Sequence, residues 1–170
     1  PPMIFINKSQ PMDRYRFTLA HELGHLVMHR LPTHTMEEEA NSFAAEFLMP
    51  SKDIGPHLAH LTLEKAAYMK PFWRTSMASI VYRAKALNRI SHGQYEYIWR
   101  QISAKNWRLN EPVILDVANE KPTLLKALFA HLQDNMDYTN TELAQVLGLH
   151  YNELKDMYPL GGQQRIRLVK

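Results

Sequence analysis

Apolar residues recur at helical spacing through most of this chain, and proline- or polar-marked breaks divide it into segments. Near the start, Ile4-Phe5-Ile6-Asn7 reads as a strand. From Asp13, a fair N-cap, a helix can run without a breaker as far as Pro32. Phe17, Ala20, Gly24 and Met28 share one side of it. The stretch from Met36 to Pro50 reads as an amphipathic helix whose stripe is Ala40, Phe43, Ala44, Phe47 and Leu48. Ser51-Lys52-Asp53-Ile54 is a turn into a short helix. Residues 63–68 and 72–87 read as helices parted near Pro71, the second with Met77, Ile80, Val81, Ala84 and Leu87 in register. Residues 90–102, capped by Ser91, offer Tyr95, Ile98 and Trp99 to a core. Asn110-Glu111-Pro112 marks the clearest boundary. Beyond it, 122–135 and 139–158 read as helices, and 161–167 as a tail or late strand.

These elements predict an α+β chain that is predominantly α-helical, with a small N-terminal sheet, truncated here, and a helical C-terminal region. A lone strand is not stable as a sheet, so partner strands are expected upstream of Pro1. With 170 residues, 45% of them hydrophobic, the chain can form one sizeable core or two small ones. No apolar run approaches the roughly 20 residues that span a bilayer, and no signal-peptide pattern is present. The absence of cysteine excludes disulfides and thiolate metal ligation, and it fits a reducing, cytoplasmic setting.

The first helix carries His21-Glu22-Leu23-Gly24-His25, an H-E-x-x-H pattern. Side chains four apart on a helix lie one above the other, so both imidazoles can reach one ion. Glu22 between them points to a different side, where it can act on water. Residue frequencies alone produce this pattern roughly once in several hundred chains of this length, so its surroundings matter. Gly24 in mid-helix costs about 1 kcal/mol against Ala, and close approach of a second helix is a reason to keep it. The bland alternative is a buried helix with two hydrogen-bonded histidines and no metal.

A catalytic zinc needs three protein ligands and an open position. Extending the stripe of the second helix backwards in 3.6-residue steps lands on Glu37, while Glu38 and Glu39 turn progressively away. Asn41, one turn later, is placed to hydrogen-bond a ligating imidazole and fix its tautomer. An ordinary acidic first turn complementing the helix dipole is the competing explanation for these glutamates. Metzincin spacing fails, because Met28 and Leu31 occupy the glycine and histidine places. His29 lies about 12 Å along the axis from His21 and reads as a capping or surface residue. His34 is the other candidate ligand.

Arg16-Phe17-Thr18-Leu19-Ala20-His21-Glu22-Leu23-Gly24-His25, then Glu37-x-Glu39-Ala40-Asn41-x-Phe43-Ala44-Ala45 and Leu48-Met49-Pro50, resembles the ImmA/IrrE family of metallo-endopeptidases. The likeness is dense over residues 3–50 and looser to about 108. It implies a zincin-like helix pair of the gluzincin type, with His21, His25 and Glu37 on Zn2+ and Glu22 as general base. It also implies a protein substrate, since known members cleave helix-turn-helix transcriptional repressors inside cells. On this reading residues 1–110 are the zincin-like metallopeptidase domain, and 111–170 a helical region resembling a helix-turn-helix. Tyr82 and His57 are guesses for an oxyanion donor. The alternatives are a non-proteolytic regulatory module with a structural zinc site, or a DNA-binding regulator.

The net charge of +3 conceals an uneven distribution. Residues 70–108 hold eight Lys or Arg (70, 74, 83, 85, 89, 100, 105, 108) against Glu96 alone. Such a segment suits nucleic acid or an acidic protein, unless it is simply the solvated face of core-packing helices. Residues 111–170 carry eight acids and six bases. There Ala144, Gly148 and Leu154 take the small, turn and core places of a helix-turn-helix. Glu153 and Asp156 on its second helix oppose phosphate contact, so DNA binding is not expected.

Overall fold

A computed structural model describes residues 3–7, 9–112 and 118–158. The chain divides into two compact units, Pro1–Asn119 and Glu120–Lys170.

In the first unit, α1 (Met12–Met28) starts behind Pro11, whose carbonyl accepts from Arg14 N at 3.1 Å and Tyr15 N at 2.9 Å. Asp13 is therefore not the N-cap. It lies in the first turn with its side chain buried, 2.8 Å from Lys70 Nζ. The helix ends before Pro32 is reached, because His29 is already extended. After a short turn, α2 (Met36–Leu48) packs back along α1. Gly24 makes this possible: a Cβ there would sit 3.1 Å from Phe43 Cδ1 and 3.3 Å from the Ala40 Cα. Ala20, Ala40 and Ala44 are buried along the same seam. Phe47 departs from the expected stripe; it is 60% exposed and stacks on Phe43.

The α-helical part of the predicted class holds, and the sheet does not appear among the described residues. Ile4–Asn7 is irregular, with Phe5 exposed. Without a neighbour to share its N–H and C=O groups, a single extended segment forms no ladder.

The core of this unit is built by α3 (Ser51–Ile54), a 3₁₀ turn (Gly55–Leu58), α4 (Leu63–Trp73), α5 (Met77–Ala86) and α6 (His92–Ala104). Ile54, Leu58, Met77, Ile80 and Ile98 are enclosed there. Contrary to expectation, Pro71 does not separate two helices. It sits inside the last turn of α4, and the helix runs on past it to Trp73. The stop comes at Arg74, which turns left-handed at φ 53° with its N–H on the Lys70 carbonyl. Ser76 and Ser91 then cap α5 and α6, accepting from Ser79 N and Gln94 N.

Lys70, which the sequence groups with a basic surface, is buried. Its ammonium lies 2.8 Å from Asp13 Oδ2 and 2.7 Å from Glu111 Oε2. Glu111 also accepts from Met77 N at 3.1 Å and Ala78 N at 3.3 Å, neutralising the start of α5. Glu111 is thus tied into the first unit. Arg83 is buried as well, paired with Glu46 and donating to the Met49 carbonyl.

In the second unit, α7 (Leu124–Met136), α8 (Asn140–Val146) and α9 (Tyr151–Met157) surround Phe129, Leu143, Ala144 and Leu154. Thr139 and Glu142 form a capping box at α8. The expected 139–158 helical stretch turns at Gly148, whose φ of +65° suits glycine. The late strand expected at 161–167 lies outside the described residues. Among the described residues no helix is long and apolar enough to cross a membrane.

Candidate metal centre

His21 and His25 project from consecutive turns of α1, and their rings meet edge-to-face with centroids 4.7 Å apart. The two Nε2 atoms lie 3.1 Å from each other. Glu37, in the first turn of α2, brings Oε2 to 3.3 Å from His21 Nε2 and Oε1 to 3.4 Å from His25 Nε2. Its side chain is 69% exposed, so Glu37 sits at the rim with only its carboxylate turned inward. Taking one ligand-capable atom from each residue, the three atoms lie within 4.8 Å of one another.

The outer nitrogens of the imidazoles decide what the inner ones can do. His21 Nδ1 lies 3.0 Å from Asn41 Oδ1, the contact expected of Asn41. Because that oxygen only accepts, His21 Nδ1 is the donor in this contact. His21, His25 and Glu37 each turn one ligand-capable atom towards the same place, a set able to hold a metal ion.

His29 is not a surface residue. Its side chain is 7% exposed, with Nδ1 3.0 Å from His25 Nδ1 and Nε2 3.0 Å from Glu39 Oε2. Thr35 Oγ1 donates to the other Glu39 oxygen at 2.7 Å. The Thr35 hydroxyl, then His29, hold the Glu39 carboxyl below the usual carboxylate range. The signal available in the sequence was the continued i, i+4 series from His21 through His25 to His29, facing an acid-rich first turn. His34 is exposed, and no hydrogen bond among the described residues joins it to the cluster.

Glu22 follows His21 by one position, about 100° around the helix, and is half-buried. Tyr82 packs on Tyr95 and Trp99, with ring centroids 5.9 and 5.2 Å away. His57 lies exposed in the 3₁₀ turn. Among the described residues no hydrogen bond or ring contact joins either to the three-residue cluster. An open cavity of about 500 Å³ flanks Glu39 and is lined by Met28, Glu38, Ser42 and Phe43; none of the three cluster residues lines it.

The family model for the IrrE N-terminal-like domain, Peptidase_M78, matches residues 1–85. That match covers α1, α2 and the core helices through most of α5. No curated protein and no solved structure matches the chain. With the motif helix, the converging His21, His25 and Glu37 and half of its length matched, the chain belongs to the IrrE N-terminal-like peptidase family.

Proposed function

We propose that this chain is a zinc-dependent endopeptidase that hydrolyses a peptide bond in a protein substrate, a transcriptional repressor of the helix-turn-helix type. The observation that carries the reading is the convergence of His21 Nε2, His25 Nε2 and the Glu37 carboxylate, with separations of 3.1–3.4 Å. These three residues would hold zinc. Bound there, zinc supplies a Lewis acid for the scissile carbonyl and lowers the pKa of water towards neutrality.

Glu22 does the proton work. Its carboxylate removes a proton from the attacking water as the new C–O bond forms at the carbonyl carbon. It then delivers that proton to the amide nitrogen as the C–N bond breaks, leaving a carboxylate and an amine. Asn41 accepts from His21 Nδ1 and would orient the ring with Nε2 turned to the ion. With Lys70 and Arg83 committed to internal pairs, the remaining bases of 70–108 are half-buried or exposed. Their positive field suits an acidic segment of the substrate. A cysteine-free chain suits work in the cytoplasm.

The test is incubation of the wild type and Glu22→Gln with the transcription regulator encoded beside this protein. Glu22→Gln should keep zinc and lose cleavage by about 10²–10⁴-fold, the range of a general base. Cleavage by the variant at the wild-type rate would refute the mechanism.

A further inference from the structure

We infer that His29 and Glu39 are positioning residues for His25, fixing the tautomer in which its Nε2 is free to bind the metal; this rests on the zinc reading of the site. Proton placement along a chain of contacts leads to it. Glu39 accepts from the Thr35 hydroxyl at 2.7 Å on one oxygen. Its other oxygen, 3.0 Å from His29 Nε2, can only accept, so that nitrogen bears a proton. A His25 that binds metal through Nε2 keeps its one proton on Nδ1, and His29 Nδ1, 3.0 Å away, is the acceptor placed to hold it there. Nε2 then faces His21 and Glu37.

Asn41 achieves the same for His21 with one amide oxygen. Both imidazoles are therefore set by acceptors behind them, each reaching to α2, but by different chemistry. On His25 the acceptor is a histidine backed by a carboxylate. A carboxylate behind an imidazole also raises its basicity, and hence its strength as a ligand. Glu39 thus has a role distinct from that of Glu37, two residues earlier on the same helix.

The experiment is competition for zinc between metal-free protein and a chromogenic chelator, with Co2+ replacement to read the ligand-field absorption and metal-free melting as a control for folding. His29→Leu keeps the slot filled and apolar but removes the acceptor. Zinc affinity should fall about 10–100-fold while the metal-free protein still melts cooperatively. His29→Asn restores an oxygen at the same δ position and should recover most of the loss. Glu39→Gln keeps size and an acceptor but not charge, and should weaken zinc to a smaller extent and shift the Co2+ band. The inference is overturned if His29→Leu, or Glu39→Gln should His29→Leu fail to fold, binds zinc as the wild type does. It is equally overturned if His29→Asn loses as much as His29→Leu, because packing would then be the cause. A wild type no better than His21→Ala overturns the zinc reading itself, a result distinct from the other two.

Discussion

Lys70→Met tests what holds the motif helix in place. The lysine side chain is 1% exposed, and its partners Asp13 and Glu111 are 3% and 6% exposed. Burying charge is costly, and a buried pair gains little over an apolar substitute of similar size. Removing one partner is another matter, because the acids stay behind. Glu111 keeps the Met77 and Ala78 N–H groups and is partly compensated. Asp13 keeps the Arg14 N–H at 2.8 Å, so the penalty falls mainly on Asp13. Breaking such a pair costs about 3–5 kcal/mol. The compensation of Glu111 favours the lower end, about 3 kcal/mol, or roughly 10 °C in melting temperature for a unit of this size. Trp73, Trp99 and Trp107 all lie in the first unit, so tryptophan fluorescence reports its unfolding apart from the second. Lys70→Met/Asp13→Asn should recover part of the loss. A melting temperature within about 2 °C of wild type for Lys70→Met would refute the reasoning. The pH dependence adds a sign. Burial alone pulls the Lys70 pKa down, but hydrogen bonds to Asp13 and Glu111 outweigh it, and the net shift is upward. A raised lysine pKa contributes stability that is complete below the ordinary value of about 10.5 and lost as pH climbs through the folded one. Wild type should therefore lose this increment only in strong alkali, and Lys70→Met should show no such loss.

Gly24→Val should destabilise the α1–α2 pair by about 1–3 kcal/mol, since its first side-chain atom already meets the Ala40 backbone at 3.3 Å; urea unfolding followed by circular dichroism measures it, and an unchanged midpoint would show that the helices separate freely. Removing metal with a chelator should abolish cleavage and zinc should restore it, as read by gel analysis of the substrate; full activity in excess chelator would end the metallopeptidase reading.

The site was legible because its determinants are local. The i, i+4 spacing and the backward extension of one helical stripe suffice to bring His21, His25 and Glu37 together, and Asn41 follows from the same periodicity. What escaped depends on partners far apart in sequence. Lys70 and Glu111 are 41 residues apart, and nothing near Lys70 separates it from its solvated neighbours. His29 was placed by its distance from His21, which excludes it as a ligand but says nothing of what it does for His25. Pro71 misled for a different reason: it lies inside α4, and the helix ends only at Arg74, where the backbone turns left-handed. The strand at Ile4–Asn7 needs a pairing partner, which no local pattern specifies.

The motif helix is gripped at three places by unrelated means, and this makes stability and metal affinity separable. Asp13 is paired with Lys70 near its start, Gly24 sits against Ala40 in its middle, and His29 is bonded to Glu39 just past its end. Sixteen residues of α-helical rise put Asp13 and His29 about 24 Å apart, beyond the roughly 7–10 Å within which substitutions couple. Lys70→Met should then lower the melting temperature with little change in zinc affinity, while His29→Leu should weaken zinc with a smaller effect on melting. Their double variant should show the sum of both effects to within about 0.5 kcal/mol, measured by chelator competition and thermal unfolding on the same samples. A larger coupling would mean that α1 does not behave as a rigid rod between its two ends, and that the histidines depend on how the helix is anchored at Asp13.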